Sequence, residues 1–341
     1  CKGKIYPQYF YYICKINAAF GLIMKHIFII LFFLLGALPA SGQKVSKYRL
    51  LLHWYPQAQF AGYYYAQAKG FYKDAGLDID IQYSTVSQTS TDKIKTGDFD
   101  FAIMWLSTAT QLRSQKIAIQ HIAQTNQSSA LMLISKKGTG TDRLEEFQGK
   151  KLGVWSGDFE LQPLSLLQRN NIEMKLIRIN NSINLFLHGG IDVCTAMWYN
   201  EYNQLLTSGL KENELNVFRM SDYGMNFPED GIYANEKLVW NRPKVCQKFV
   251  EASIKGWLAA FEDVEGTLDI LAKACGDAGV AFSRSHQRWM LQCFRELLLN
   301  PKTKTINTTL SRNAYSFVGS VLLERKFITI IPPYEEFIIT L

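Results

Sequence analysis

Aromatic side chains collect where apolar runs end. Leu50-Leu51-Leu52 gives way to His53-Trp54-Tyr55, Phe101-Ala102-Ile103 leads to Trp105, Leu152-Gly153-Val154 to Trp155, and Ile191-Asp192-Val193 to Trp198-Tyr199. Short apolar runs bounded by polar or breaking residues read as buried strands. The rings would then sit at the ends of successive strands. A single Trp is explained equally well by core packing, and it is the recurrence at strand ends that points to a site. Opposed aromatic faces suit a flat ring, each stacked pair contributing about 0.5–1.5 kcal/mol beyond its buried area. Polar groups accompany them. Asn200 and Glu201 follow Trp198-Tyr199; a carboxylate there accepts hydrogen bonds from a ligand or simply opens a helix, where the macrodipole favours it. Ser156-Gly157 stands where a loop enters a helix, so its backbone N–H groups suit an anionic or carbonyl oxygen. Glu229 and Asp230 precede another apolar run and either reach a ligand or cap a turn.

Catalytic patterns are missing. The five histidines (His26, His53, His121, His188, His286) are scattered, and none pairs with a Cys or Ser in a nucleophile motif. No G-x-S-x-G, phosphate loop or H-E-x-x-H occurs. Cys194, Cys246, Cys275 and Cys293 show no C-x-x-C spacing and no neighbouring His cluster, which argues against zinc. They read as small buried thiols, with one disulfide open to them in an oxidising compartment. The expectation is a non-catalytic protein with no metal and no cofactor.

The elements that must position the rings are legible. Leu50–Leu52 is a strand, Pro56 breaks it, residues 58–69 favour a helix closed by Gly70, and Leu77, Ile79, Ile81 and Tyr83 alternate as a second strand. This is a βαβ unit with aromatics at the carboxyl end of its first strand, the edge where open parallel sheets bind ligands. A short helix ending at Gly97 and a strand over 98–103 follow. An echo comes some ninety residues later: Gly97-Asp98-Phe99-Asp100-Phe101 and Gly189-Gly190-Ile191-Asp192-Val193 share a G-x-Φ-D-Φ pattern, where Φ is apolar. Ahead of the second copy lie a strand ending in Trp155, a helix over 162–170 and a strand over 174–179. The expectation is an α/β fold of two Rossmann-like lobes: residues 47–132 plus 230–341 form lobe 1 and 133–229 lobe 2. Strands near 132–135 and 231–234 cross between them as a hinge. Helices over 244–261 and 287–299 would pack on lobe 1.

Met24, Lys25 and His26 precede the apolar run Ile27–Leu38 and the small residues Ala40, Ser41 and Gly42. That is the pattern of a secretory signal peptide over 24–42, with 1–23 as upstream translated sequence. The run is shorter than the roughly 20 residues of a membrane span. No cysteine follows Ala40 to take a lipid, so a soluble periplasmic protein is expected. The net charge of +7 falls to +3 without Lys2, Lys4, Lys15 and Lys25, too mild for nucleic-acid binding.

Trp54-Tyr55-Pro56, Ala66-Gln67-Ala68-Lys69-Gly70-Phe71-Tyr72-Lys73 and Gly76-Leu77-Asp78-Ile79 resemble the opening of type 2 periplasmic substrate-binding proteins. Within these they are similar to the branch that binds thiamine-pyrimidine precursors and shares its fold with the eukaryotic pyrimidine synthases. The likeness runs from about Lys47 to about Pro301. It implies a bilobed fold, an ABC importer's membrane permease as partner, a monomer, and an aminopyrimidine held in the cleft. Met197-Trp198-Tyr199-Asn200-Glu201-Tyr202 resembles the M-x-Y-N-E-Y of those binders, which would give Glu201 the exocyclic amine and a ring-edge proton. The resemblance also favours Tyr64 among Tyr63, Tyr64 and Tyr65. The implied ligand set is Trp54, Tyr55, Tyr64, Trp105, Trp155, Ser156, Gly157, Tyr199, Asn200, Glu201 and Glu229. The synthases use a Lys and a His in the loop after the first G-x-Φ-D-Φ strand; the matching loop here, Met104–Ala109, has neither. The run of cysteines typical of the synthases is also missing around Met220–Gly231. Other branches of the fold take riboflavin, sulfonates, nitrate or taurine, and a sensing role beside a membrane receptor is the alternative to import.

Overall fold

The computed structural model describes residues 46–85, 89–180 and 182–341; the expected leader at 24–42 and the segment 1–23 lie outside them. Among the described residues ten strands form two five-stranded sheets. They are β1 (Ser46–Leu52), β2 (Leu77–Tyr83), β3 (Phe101–Trp105), β4 (Ile119–Gln124), β5 (Leu131–Lys136), β6 (Lys151–Val154), β7 (Lys175–Arg178), β8 (Val193–Met197), β9 (Leu215–Arg219) and β10 (Asp230–Asn235).

The two sheets share one plan. The first runs β2-β1-β3-β10-β4 and the second β7-β6-β8-β5-β9. In each, three parallel strands meet one antiparallel strand from out of order: β10 beside β3 and β4, β5 beside β8 and β9. The G-x-Φ-D-Φ echo has a physical basis in this plan. Asp100 Oδ2 accepts from the Arg49 N–H at 2.8 Å, and Asp192 Oδ2 accepts from the Lys151 N–H at 2.8 Å. Each Asp thus fastens the third parallel strand to the first at the edge opposite the rings.

The opening unit forms as its sequence periods demand. A 3₁₀ turn over Ala58–Phe60 runs into the helix Ala61–Ala68, and Gly70 ends it at φ +79°, a left-handed position open to glycine. Two boundaries differ. β3 starts at Phe101 rather than 98: the chain turns at Thr96-Gly97, and residues 98–100 are irregular with a bend at Asp100. The helix of the second unit, Asp158–Arg169, begins four residues early and carries Pro163 inside it, where the sequence suggested a start. The segments 125–130 and 220–229 pass between the sheets, just ahead of the strands expected to cross; β5 and β10 are themselves paired on both sides.

The helix Pro243–Glu262 packs on Ala61–Ala68 through two glycines. A Cβ on Gly256 would stand 2.2 Å from the Gly62 carbonyl oxygen, and one on Gly62 would stand 2.2 Å from Trp257. The obstacle at Gly256 is backbone, which cannot swing aside. Gly256→Ala is therefore expected to cost about 1–3 kcal/mol through overpacking, more than the gain of up to about 1 kcal/mol in helix propensity. A urea midpoint equal to or above wild type would contradict this.

The helix Arg284–Leu298 does more than pack on the first sheet. Its Gln287 Oε1 accepts from the Ala58 N–H at 2.6 Å, while Trp289 Nε1 donates to the Trp198 carbonyl at 3.2 Å. His286 lies with its ring nitrogens 2.7 Å from Asn203 Oδ1 and 2.9 Å from Asn200 Oδ1. This helix therefore bridges elements of both sheets.

Candidate ligand-binding site

The strand order decides where a site forms. Parallel strands β1, β3, β6 and β8 all end at one edge, and helices Leu106–Ser114, Asp158–Arg169 and Glu201–Thr207 begin there. A cavity of about 520 Å³ lies among these ends, within the range of a small-molecule pocket. Of the expected set, Trp54, Tyr55, Trp105, Trp155, Ser156, Gly157, Tyr199, Asn200 and Glu201 line it.

The rings form a continuous band. Trp54, after β1, lies 6.1 Å from Trp155, after β6, with their planes at 51°. Phe159 extends the band, 4.9 Å from Trp155 and 4.8 Å from Trp105. Tyr55 lies 5.7 Å from Trp54, edge to face. The first and second sheets thus each present a Trp to the same space, from β1 and β6 respectively. Trp105 is buried and its Nε1 N–H has no partner among the described residues. An orphaned buried donor costs about 1–3 kcal/mol, so an acceptor placed there would be stabilising.

The other two residues of the set, Tyr64 and Glu229, and one of the strand-end rings, Trp198, lie elsewhere. Tyr64 is buried away from the cavity, in a helix whose neighbouring Tyr63 packs on Trp257; burial and the nearby Cys275 and Tyr83 push its phenol pKa up. Trp198 turns into the second sheet's side, under the Arg219 guanidinium at 5.0 Å. Residues 198–200 form a turn closed by the Asn200 N–H on the Met197 carbonyl at 3.1 Å, and this turn separates the neighbours: Tyr199 lines the cavity with Met197, while Trp198 does not. Glu229 is buried between the crossing segments: its carboxylate accepts from the Ala130 N–H at 2.7 Å and Asn126 Nδ2 at 3.1 Å, with the Ser129 hydroxyl at 3.0 Å.

Glu201 combines both readings offered by its sequence. It opens its helix, and its side chain lines the cavity. Met197 N–H and Asn200 Nδ2 donate to it at 2.8 and 2.6 Å. Burial dominates these bonds and pushes its pKa up to about 7. A carboxyl poised there can accept hydrogen bonds when ionised and donate one when protonated. Tyr199 lies beside it, 4.8 Å from Phe294; burial and then the charges of Glu229, Asp230 and Glu201 raise its phenol pKa well above normal.

Sequence reading missed a polar wall. His53, Gln57 and Gln59 line the cavity from the first sheet's side, and Ser84, Thr89, Ser90 and Thr91 line another part. Asp230, at the start of β10, accepts from Gln59 Nε2 at 3.0 Å and lies 2.9 Å from His53 Nε2. The Q-x-Q spacing of Gln57 and Gln59 was the available signal. Among the described residues no Lys or Arg lines the cavity, and no cluster of metal-ligating side chains occurs.

Residues 57–266 match the family model described as NMT1/THI5 like. The chain belongs to the NMT1/THI5-like family. Among its relatives, the riboflavin-binding protein RibY of Chloroflexus aurantiacus is 22% identical over 264 residues, 74% of this chain and 73% of that protein. The formylaminopyrimidine-binding protein of Halalkalibacterium halodurans is 21% identical over 281 residues, 77% and 81% of the two chains. A 4-amino-5-hydroxymethyl-2-methylpyrimidine phosphate synthase of Saccharomyces cerevisiae, THI11, is 27% identical over 115 residues, a third of each chain. The periplasmic aliphatic sulphonate binding protein SsuA of Escherichia coli superposes with a TM-score of 0.68 at 11% identity, covering 86% of this chain and 92% of its own. The desulfurization enzyme DSZB also superposes, with a TM-score of 0.59 at 12% identity and 86% and 96% coverage. The fold is that of ABC-type solute-binding proteins, the resemblance expected from the opening motifs. No helix among the described residues is long and apolar enough to cross a membrane.

Proposed function

We propose that the protein is a periplasmic solute-binding protein that clamps a flat, uncharged or weakly basic heteroaromatic ring, of the thiamine-pyrimidine-precursor class, and delivers it to the permease of an ABC importer. One observation carries this reading: Trp54 and Trp155, from the ends of β1 and β6 in different sheets, face one cavity beside the buried Glu201. The Trp faces would take the ring, Glu201 its amine and ring-edge nitrogen, and the orphaned Trp105 N–H an acceptor. With no Lys or Arg among the described lining residues, a sulfonate would meet hydroxyl, amide and ring N–H donors but no fixed cation. Lobes 47–132 with 230–341 and 133–229 would close on the ligand about the crossing segments. The site functions in binding without turnover, and the protein acts as a monomer.

Riboflavin is the second reading, favoured by a cavity of about 520 Å³ and its band of rings, roomy for a lone pyrimidine. A membrane receptor, as partner of a sensing module, is the alternative to the permease; transport reconstituted with the permease separates them. The ligand test is thermal unfolding with formylaminopyrimidine, hydroxymethylpyrimidine, riboflavin and an alkanesulfonate. Ligand at 100-fold over Kd is expected to stabilise by about 2.7 kcal/mol. A shift with a pyrimidine supports the first reading and a shift with riboflavin the second. A shift with the sulfonate alone would overturn both.

A further inference from the structure

The polar wall of the cavity is wired to the segment that passes between the sheets. Asp230 is buried, and its backbone carbonyl accepts from the Thr125 and Asn126 N–H groups, the Thr125 hydroxyl and Gln124 Nε2 at 2.7–3.1 Å. Its backbone is therefore fixed in place. One carboxylate oxygen accepts from Gln59 Nε2 at 3.0 Å, and the other lies 2.9 Å from His53 Nε2. Gln59 is itself oriented, because its Oε1 accepts from Gln57 Nε2 at 2.7 Å. Phe60 meets the imidazole edge to face at 5.3 Å. His53 and both glutamines line the cavity.

Two groups face His53 Nε2, the Asp230 carboxylate at 2.9 Å and the Gln59 amide nitrogen at 3.3 Å, and the shorter, charge-assisted contact sets the tautomer. An ionised carboxylate only accepts hydrogen bonds, so the imidazole nitrogen facing it must carry the proton. A neutral ring has one N–H, which leaves Nδ1 as an acceptor, and His53 Nδ1 has no partner among the described residues. We propose that Asp230 is a positioning residue that holds His53 as the Nε2–H tautomer, so that Nδ1 selects ligands bringing an N–H or O–H to that wall. The selection rests on the proposed binding function; the tautomer does not. A ring carrying an amine or an N–H meets an acceptor there, whereas a sulfonate would bring its oxygens against a lone pair.

Asp230→Asn tests this with little change of shape. Gln59 donates to one oxygen of residue 230, so an asparagine keeps its carbonyl there and turns its NH₂ toward His53 Nε2. Nε2 must then accept, and the proton moves to Nδ1, turning the wall's acceptor into a donor. The readout is the long-range ¹⁵N–¹H spectrum of the His53 ring in the full chain at pH 8, above the ordinary range of imidazole protonation; a His53→Asn sample assigns the signals. The wild type is expected to carry its proton on Nε2, and Asp230→Asn on Nδ1 with at least a tenfold loss of affinity for whichever of hydroxymethylpyrimidine and riboflavin binds the wild type. A wild-type ring protonated on Nδ1 or on both nitrogens would overturn the proposal, and this measurement needs no variant to fold. An unchanged tautomer in Asp230→Asn, or a changed one with unchanged affinity, would also overturn it. Should neither probe bind the wild type, the proposed function fails separately, and the wild-type tautomer still decides the role of Asp230.

Discussion

Trp155→Ala is expected to raise the Kd of the bound heterocycle about 30- to 150-fold, the effect of removing a central aromatic contributing about 2–3 kcal/mol. Trp155 stands in the middle of the band, in contact with Trp54 on one side and Phe159 on the other. Its loss removes one stacking face and also the support that sets the angle of Trp54. Trp54→Ala should cost a similar amount, and the double variant less than the sum, since each ring packs on the other. Trp240→Ala is the control: that side chain is 66% exposed and remote from the cavity lining, so binding should not change. Isothermal titration of the four variants checks this. Equal affinity in wild type and Trp155→Ala would remove the stacking account.

Glu229→Ala is expected to destabilise by about 3–5 kcal/mol, because it strands the Ala130 N–H and the Asn126 amide in a dry crossing and leaves a cavity. The same carboxyl makes stability depend on pH with a definite sign. Burial, aided by the neighbouring Asp230 charge against the opposing hydrogen bonds, pushes its pKa from the ordinary 4.5 up to about 8. The folded state then holds a proton that the unfolded chain releases, so this contribution is whole below about 4.5 and is lost as pH rises through about 8. Glu201, raised to about 7, acts in the same direction. Urea midpoints should therefore fall between pH 5 and pH 9, and Glu229→Gln, which cannot ionise, should flatten that fall. A wild-type midpoint that climbs over this range, or a Glu229→Gln slope equal to wild type, would show that burial does not govern this carboxyl.

What was legible in the chain follows from range. Leu50–Leu52, Gly70 and the alternation of Leu77, Ile79 and Ile81 obey local periods, so the first βαβ unit could be read directly. The paired Asp100 and Asp192 were visible as a motif, although their shared task, each accepting from a backbone N–H of the neighbouring strand, needed coordinates. The rings at strand ends were found because an edge position follows from where a strand stops. Their directions were not: Trp198 and Tyr199 are adjacent, and only the turn that follows β8 at 198–200 decides which of them meets the cavity. Tyr64 was misplaced because three consecutive tyrosines on a helix give no face until its packing against Trp257 is known. The wall of His53, Gln59 and Asp230 depends on hydrogen bonds across 171 and 177 residues, a separation at which no local pattern survives. Glu229 looked available to a ligand for the same reason; its partners Asn126 and Ala130 lie about a hundred residues upstream.

The most direct measurement is a crystal structure of the protein grown with hydroxymethylpyrimidine, and in parallel with riboflavin. The account predicts density for one planar ring lying against the band formed by the Trp54 and Trp155 side chains, with a polar edge within hydrogen-bond distance of Glu201. Density for either molecule at another surface, or a well-ordered ligand whose ring touches neither tryptophan, would contradict it.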